Sequence, residues 1–511
     1  MVDQAGMTTL PIAAGRMPPH LFERVRLFVA SPDGYVHSAA FHEWMAALAA
    51  AFSALGTQVD TSTDTLLIGE GVNLVFGAHL FAPEVLLPAN CVLVNLEQFP
   101  DSIMAREAHY LALLKRHPVL DYSPHNAERV RQAIGHSWVH VLRIGYMPAL
   151  TRIDRAAQED VDVLFYGTVN ERRQAIIDAL ASTGLRLKVL NGVYGAERDA
   201  WIARSKVVLN MHYYESKVHE VIRTSYLLAN RKAVVSECAA DTEIDDDLRA
   251  AVVAVPYEQI ASACRELVLD EPRRAEIEKN GFELFARRDQ VAILAELLPR
   301  LSRPLPRRIN LGSGKAFDAD RLNIDIDPKW HPDIVGDIAG PHGLNQVFFS
   351  RRFGFVRLQP GGFDEITVMD VLEHVPDLVL FMTRCLELLT DGGSMRIGVP
   401  YDLSWGAWQD PTHVRAFNER SWLYYTDWHW YLGWQQARFD TTELQMVLST
   451  LGQELQQRGI GIDEICRTPR AVDSMQVLLT KRALTDAERE QATQWLAGAT
   501  GNTAALPKDK S

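Results

Sequence analysis

The sequence predicts an α/β protein made of three consecutive strand-and-helix units. Short apolar runs bounded by glycine, proline or polar residues recur along most of the chain. They alternate with segments whose apolar residues repeat at helical spacing. A Gly-x-Gly turn between two apolar runs, at Gly312 and Gly314, is typical of a strand end that approaches a nucleotide. The 511 residues are enough for about two to four domains.

The composition excludes several functional classes. A net charge of −13 with no basic cluster argues against a nucleic-acid partner. No apolar run reaches the roughly 18 to 20 residues that a membrane helix needs, and no leader-like segment opens the chain. The five cysteines include no Cys-x-x-Cys pair, so neither a zinc site nor a disulfide framework is expected. We expect a cytoplasmic protein without an integral membrane segment; the oligomeric state stays open.

The first unit is expected over residues 22–150, after a flexible N-terminus at 1–21. It begins with a strand at 25–29, and a helix follows whose apolar face is marked by residues three, four and seven positions apart. Further short strands are predicted at 66–69, 74–77, 92–96 and 141–146. Alternating strands and helices of this kind make a Rossmann-like unit.

The second unit is expected over residues 158–300. It opens with a strand at 162–167, and residues 168–171 read as a capping box for the helix that follows and ends at Gly184. Strands are predicted at 187–190, 207–211, 233–236 and 252–255, and a helix at 257–269 closes the unit. This is a second Rossmann-like pattern.

Two Rossmann-like units in succession resemble the GT-B glycosyltransferases, and the motif-level resemblance lies in residues 207–237. There a strand, a loop and a helix precede another strand. The resemblance implies a nucleotide-sugar donor site with Gly167, Glu215, Glu220 and Arg223, where the helix N-terminus would face the diphosphate. Many retaining members carry two glutamates separated by seven residues, whereas here Arg223 stands in the second place. The alternative is that these side chains only solvate a loop and a helix face.

The third unit begins at the glycine turn. Residues 309–311 and 322–326 read as two strands, and Gly312 and Gly314 let the backbone between them turn sharply and approach a ligand. Asp325 or Asp327, at the end of the second strand, is placed to accept hydrogen bonds from ribose hydroxyls. The stretch therefore predicts a nucleoside pocket.

Three later segments, at 333–337, 363–375 and 389–400, complete a resemblance to the class I S-adenosylmethionine-dependent methyltransferases over residues 308–482. The fold class is thus two Rossmann-like units in a GT-B arrangement followed by a class I methyltransferase domain at 305–482 and a flexible tail at 483–511. The resemblance implies that the glycines face the methionine moiety, Asp325 the ribose and Asp337 the adenine, while residues 370–373 close the pocket. The implied cofactor-binding residues are Asn310, Gly312, Ser313, Gly314, Asp325, Asp337, Asp370, Leu372 and Glu373. Ser313 stands where many relatives have cysteine, and the turn lacks a third glycine.

Methyl transfer to a hydroxyl requires donor and acceptor in line and a group that removes the proton. The candidate bases are His413 and His374, with Asp410 in the same loop as His413. Aromatic residues are dense over 405–434, which fits either a lid or sugar-stacking platform, or core packing.

Spaced aspartates at 245–247 and 325–327 resemble manganese motifs, but helix-dipole and ribose roles explain them, so no metal is predicted. We expect a bifunctional glycosyltransferase and methyltransferase acting in the synthesis and methylation of a glycan, because fusion raises the local concentration of one product at the other site. Two alternatives stay open. One is a methyltransferase whose first half is a non-catalytic acceptor-binding module; the other is a non-enzymatic cofactor-binding scaffold.

Overall fold

The structure is a computed structural model, and it describes residues 21–99, 107–213 and 218–501. The chain divides into two compact units, with the boundary between Ser302 and Arg303. In the described ranges, no helix is both long enough and apolar enough to cross a membrane.

The first unit contains two parallel sheets. The first sheet has the strand order β2-β1-β3-β4-β5-β6, and every neighbouring pair is parallel. Its apolar strands are buried on both faces, as expected of a parallel sheet covered by helices. Its elements are β1 (Arg24–Val29), α1 (His42–Ala54), β2 (Gln58–Ser62), β3 (Val72–Phe76), β4 (Cys91–Asn95), α2 (Ala108–Arg116), β5 (Val119–Asp121), α3 (Pro124–Ile134) and β6 (Val139–Val141).

The second sheet has the order β11-β10-β9-β7-β8 and is also fully parallel. Its elements are β7 (Val161–Tyr166), α4 (Glu171–Ala181), β8 (Leu187–Leu190), α5 (Gly195–Ala203), β9 (Ser205–Asn210), α6 (Val221–Ala229), β10 (Ala233–Glu237), α7 (Asp246–Ala251), β11 (Val253–Val255), α8 (Ile260–Leu269), α9 (Glu271–Ala286) and α10 (Gln290–Leu297). Helix α10 follows the second sheet in the chain, but it packs against α1 of the first sheet. The predicted interval 158–300 therefore ends in a helix that belongs with the first Rossmann-like unit.

The second compact unit is built on a seven-stranded sheet of order β14-β13-β12-β17-β18-β20-β19, in which β20 is antiparallel to both of its neighbours. Strands β15 and β16 form a separate antiparallel pair. The elements are β12 (Arg308–Leu311), β13 (Leu322–Asp325), β14 (Ile334–Val335), β15 (Val347–Ser350), β16 (Gly354–Arg357), β17 (Phe363–Met369), α11 (Leu378–Leu388), β18 (Leu389–Pro400), α12 (Gly406–Gln409), β19 (Ala437–Leu448), α13 (Thr450–Gln457), α14 (Ile462–Arg467), β20 (Val472–Ala483) and α15 (Asp486–Gly501).

The predicted α/β class with Rossmann-like units is confirmed, but several local predictions are wrong. Residues 66–69 form a loop instead of a strand, because the Asn73 side chain bonds both the N–H and the carbonyl of Leu67. The strand predicted at 141–146 ends at Val141, and its apolar remainder is buried where the chain passes to the second sheet. The cap of α4 is Asn170, whose side chain accepts from Arg173 N–H at 3.0 Å, and the helix ends before Gly184.

The predicted flexible tail at 483–511 contains helix α15. Its Trp495 ring packs against Trp430 at 4.8 Å and Tyr431 at 5.5 Å between centroids, so aromatic contacts hold this helix on the domain. Residues 1–20 and 502–511 lie outside the described residues.

Candidate functional site

A cavity of about 510 Å³ lies between the two sheets of the first unit. Its walls come from loops that follow the carboxyl ends of β1, β4, β5, β7, β8 and β9, where parallel α/β sheets bind ligands. Five tyrosines line it together with charged side chains, so it offers both ring faces and ionic groups. The tyrosines are Tyr122, Tyr166, Tyr194, Tyr213 and Tyr226.

A cluster of two arginines around one glutamate forms the second-sheet wall. Glu220 pairs with Arg173 through one carboxylate oxygen and with Arg223 at 2.8 Å through the other. The Arg173 side chain is only 3% exposed and also donates to the Thr168 carbonyl at 2.8 Å, so it fastens the loop after β7 to the loop after β9. Arg223 also donates to Asn210 at 2.9 Å and is the more accessible guanidinium of the pair.

The ionisation of this cluster is set by opposing effects. Burial alone would raise the pKa of Glu220, but Arg223 and Arg173 outweigh it, and the pKa lies below its ordinary value. Burial lowers the pKa of Arg173, and the charge of Arg223 adds to that effect. Glu220 therefore stays ionised and supplies the counter-charge that lets two guanidinium groups share one wall.

The same cluster requires a glycine at position 167. Its φ of +137° is a conformation that L side chains rarely adopt, and a Cβ there would lie 2.9 Å from Arg223 Nη2. The backbone after β7 therefore passes directly beneath the Arg223 guanidinium, which leaves that group facing the cavity.

Ionic and polar contacts link the two sheets around the cavity. Glu43, at the start of α1, accepts from Arg198 at 2.8 Å and from Arg152 at 3.0 Å. His37 Nδ1 lies 2.7 Å from the Tyr194 hydroxyl, and this contact also joins the two sheets. These contacts fix the width of the cavity from both sides.

Of the predicted donor residues, Gly167, Glu220 and Arg223 lie together on this cavity, whereas Glu215 lies outside the described residues. The sequence-based prediction missed Arg173 and Arg198. Both are helical arginines of the kind that usually faces solvent, and no local pattern marks them as buried.

The second site lies at the switch point of the seven-stranded sheet. Strand β12 has β13 on one side and β17 on the other, so the crossovers diverge there and open a crevice at the carboxyl ends. The glycine turn follows β12, and residues 370–373 follow β17. A Cβ on Gly312, whose φ is +65°, would lie 2.3 Å from Val371 Cγ2. The two loops therefore meet in a contact that only glycine permits.

Asp325 holds the turn in place from the end of β13. One of its carboxylate oxygens accepts from Gly314 N–H at 2.8 Å, and the other accepts from Asp327 N–H at 2.9 Å. Each oxygen keeps a further lone pair for a ligand hydroxyl. The side chain of Asp327 instead bonds Lys329, which separates the two aspartates that the sequence left as alternatives.

The other predicted cofactor residues divide into three kinds. Asn310 is buried and donates to the Ala316 carbonyl at 2.8 Å, so it braces the loop after the turn; Ser313 is also buried there. Asp337 is exposed and accepts from Ala339 N–H at 2.8 Å. Leu372 belongs to the hydrophobic core of the unit.

Residues 370–373 include two unusual carboxylates. Asp370 is exposed and has a φ of +55°, in the left-handed region that few residues other than glycine adopt and that aspartate tolerates better than most. Glu373 is 1% exposed, and within the described parts of the chain neither of its oxygens has a hydrogen-bond partner. Burial raises the pKa of Glu373 to about 7, and the charge of Asp370 adds to that effect.

The candidate bases come together beside Glu373. The rings of His374 and His413 lie 4.6 Å apart in an edge-to-face arrangement. Asp410 accepts from the Thr412 hydroxyl at 2.7 Å, and that hydroxyl lies 3.0 Å from His374 Nδ1. One ligand atom each from Glu373, His374 and His413 lies within 4.8 Å of the other two, so these residues could hold a metal ion.

The aromatic segment 405–434 divides into buried and exposed rings. Phe417, Trp422, Tyr425 and Trp434 are buried in the core. Trp405 and Trp408, by contrast, are 61% and 69% exposed. Trp405 is the N-cap of α12 and Trp408 lies within that helix. The carbonyl of Ala407, in the same helix, lies 3.1 Å from His413 Nδ1.

Comparisons with known proteins give short or distant similarities. No protein-family model matches the chain. Uncharacterized protein L140 of Acanthamoeba polyphaga mimivirus is 27% identical over 180 residues, which is 34% of this chain and 57% of the relative. Uncharacterized protein L138 of the same virus is 33% identical over 107 residues, 20% of this chain and 12% of the relative. This chain thus spans less than two thirds of either relative.

A ubiquinone biosynthesis O-methyltransferase from Xanthomonas campestris pv. campestris (strain B100) is 49% identical over 37 residues, 7% of this chain and 16% of the relative. Among solved structures, WaaG, a glycosyltransferase involved in lipopolysaccharide biosynthesis, is 11% identical with a TM-score of 0.37, covering 54% of this chain and 98% of its own. A SAM-dependent methyltransferase from Archaeoglobus fulgidus is 14% identical with a TM-score of 0.23. The match covers 37% of this chain and 91% of the methyltransferase chain. TM-scores this low do not establish a common fold.

Proposed function

We propose that the chain is a bifunctional transferase that adds a sugar from a nucleotide donor in its first unit and a methyl group from S-adenosylmethionine in its second. Each unit offers one crevice at the carboxyl ends of parallel strands, which is where α/β folds bind nucleotides. The product is a glycan or glycoconjugate, because exposed tryptophans stand beside the methyl-transfer residues and ring faces pack well on sugars.

The glycine turn carries the methyltransferase proposal. Gly312 against Val371 closes the turn onto residues 370–373, and Asp325 fixes Gly314 while keeping lone pairs for ribose hydroxyls. No side chain projects from the turn at Gly312 or Gly314, so a nucleoside can approach the backbone there. Leu372 and Asn310 support this pocket from the core side.

Methyl transfer to a hydroxyl breaks the carbon–sulfur bond of the sulfonium and forms a carbon–oxygen bond, and the acceptor proton must leave. His374 and His413 are the groups that act on that hydroxyl, with Asp410 orienting His374 through Thr412. Trp405 and Trp408 provide the acceptor platform.

Isothermal titration with S-adenosylmethionine tests this site. We expect Asp325→Asn to weaken binding at least tenfold, because it removes the ribose-facing charge. Asp327→Asn is the matched control, since its side chain bonds Lys329 instead. Equal affinities for both variants would contradict the assignment of the pocket.

The glycosyltransferase proposal depends on the cavity in the first unit. Arg223 presents a guanidinium in the first turn of α6, where the helix dipole also favours a diphosphate. The tyrosines provide ring faces for a base or a sugar. Glu220 holds the arginines before the donor binds and remains available for sugar hydroxyls.

One observation favours the second candidate, an acceptor-binding module in place of a glycosyltransferase. Glu220 already pairs with both Arg173 and Arg223, so the net charge of the cluster is only about half of what two free arginines would offer a diphosphate. In this alternative the cavity holds a neutral glycan and the chain is a methyltransferase alone.

Titration with a panel of nucleoside diphosphates and nucleotide sugars separates the two candidates. We expect binding that Arg223→Ala weakens at least tenfold. Arg204→Ala is the matched control, because this partly exposed arginine lies outside the cavity and pairs with Asp160. Binding of S-adenosylmethionine without any nucleotide-sugar binding would support the module instead.

A further inference from the structure

Three side chains that could bind a cation lie close together beside the glycine turn. Glu373, His374 and His413 each place a possible ligand atom within 4.8 Å of the other two. Glu373 is almost completely buried, and no described residue donates a hydrogen bond to either oxygen. An ionised carboxylate that is buried without a donor is costly, and a cation bound between Glu373 and the two histidines would offset that cost.

The hydrogen bonds fix the tautomers of both histidines. The Thr412 hydroxyl donates its single proton to Asp410, so it must accept from His374 Nδ1–H. His413 Nδ1 lies 3.1 Å from the Ala407 carbonyl, which can only accept, so that nitrogen also carries the proton. In both rings the lone pair left for another ligand is therefore on Nε2.

This is the arrangement that metal-binding histidines show. A ligating imidazole usually donates its other ring N–H to a carboxylate, a backbone carbonyl or water, which sets both its tautomer and its orientation. Here His413 has the carbonyl, and His374 reaches the carboxylate of Asp410 through Thr412. We infer that Glu373, His374 and His413 bind one divalent transition-metal ion next to the methyl-transfer pocket.

The ligand set indicates which ions fit. Two imidazoles and one carboxylate suit Zn²⁺ and related transition metals, whereas Mg²⁺ prefers oxygen ligands and water. Bonds of about 2.1 Å place tetrahedral ligand atoms about 3.4 Å apart. The three atoms now lie within 4.8 Å, so rotation of the partly exposed histidines closes the site around an ion. Three protein ligands leave a coordination position for the acceptor.

The role of the ion rests on the proposed methyltransferase function. An acceptor hydroxyl bound to the ion loses its proton to solvent, and the resulting oxygen attacks the methyl carbon. The oxygen–carbon bond forms as the carbon–sulfur bond breaks, and the sulfur leaves with the bonding electron pair as a neutral thioether. In the metal-bound protein His374 and His413 are ligands, so the ion takes over from them the activation of the hydroxyl proposed above.

Metal binding is measured on untagged full-length protein after removal of metals, without S-adenosylmethionine. Titration with Co²⁺, followed by its visible absorption, and with Zn²⁺, followed by calorimetry, should give one ion per chain. Glu373→Gln and His413→Ala should each weaken Zn²⁺ binding at least tenfold. His331→Asn is the control, because this exposed histidine has a φ of +51° that asparagine tolerates.

A second variant distinguishes the loss of a metal-binding contact from misfolding of the ligand variants. Thr412→Val keeps all three ligands and the side-chain shape at an exposed position, but it breaks the bond to His374. We expect about tenfold weaker binding from this outer contact. Wild-type affinity in Glu373→Gln and Thr412→Val, or no Zn²⁺ binding by the wild type, would overturn the site.

Separate titrations keep the two proposals apart. Zn²⁺ binding without S-adenosylmethionine binding would leave the metal site standing and remove the methyltransferase. S-adenosylmethionine binding and metal-independent methyl transfer in Zn²⁺-free protein would keep the methyltransferase and overturn the catalytic role of the ion.

Discussion

Replacing Gly312 by alanine adds one methyl group at the point where two loops of the second unit meet. The new Cβ would lie 2.3 Å from Val371 Cγ2, closer than any real side-chain contact, and the backbone there has a φ of +65°. Val371 adjoins Leu372 and Glu373, so the methyl group must displace either that segment or the turn. We expect Gly312→Ala to destabilise the second unit and weaken S-adenosylmethionine binding together.

The magnitude follows from two separate penalties. A non-glycine residue in the left-handed region costs about 1 to 2 kcal/mol. Overpacking against Val371 adds about 1 to 3 kcal/mol. Gly314 is the matched comparison, because its φ is +47° but the nearest atom to a new Cβ is the Gly312 carbonyl oxygen at 3.9 Å. Gly314→Ala should therefore carry only the first penalty, about 1 to 2 kcal/mol.

Urea unfolding followed by tryptophan fluorescence measures these free energies, since most of the chain's tryptophans lie in the second unit. Val371→Ala in the Gly312→Ala background removes the atoms at 2.3 and 3.3 Å and keeps Cβ at 3.4 Å. The double variant should recover the overpacking penalty, about 1 to 3 kcal/mol, relative to the additive expectation. Equal costs for Gly312→Ala and Gly314→Ala, with no recovery from Val371→Ala, would refute the close contact between the loops.

Three further predictions concern the first unit. Glu220→Gln should lower the free energy of unfolding by about 3 kcal/mol in urea titrations, because it leaves two guanidinium groups without their carboxylate; no change would mean that the cluster is solvated. Gly167→Ala should cost about 1 to 3 kcal/mol in the same assay, because φ is +137° there, whereas Gly184→Ala in an open turn should cost less. Burial lowers the pKa of His117 from 6.5 to about 4. Between these two pH values the unfolded chain therefore binds a proton on His117 that the folded state does not bind. The stability from neutral His117 is full above pH 6.5 and falls by about 3 kcal/mol towards pH 4. His117→Asn should flatten that slope, and an unchanged pH profile would contradict the buried neutral state.

The sequence by itself determined features that depend on neighbouring residues. Strand β12, which ends just before Gly312, and strand β13, which follows the glycine turn, were predictable because apolar runs and glycine turns are local signals. The aspartates at 245–247 were correctly placed at the start of a helix, where two of them pair with Arg288. Strand β2 was missed because it is a polar edge strand with no apolar alternation.

The tertiary structure decided which distant side chains meet. Arg173 reaches Glu220 from 47 positions earlier, and His413 comes to Glu373 from a loop beyond the next strand. Such contacts depend on strand order and crossover, which no local pattern records. The two histidines that the sequence offered as bases thus lie with a buried carboxylate, their ligand atoms within 4.8 Å of one another. The local sequence indicates which secondary structure a segment can form. Tertiary packing decides which charged and polar groups are buried together, and such groups must then compensate one another's charge.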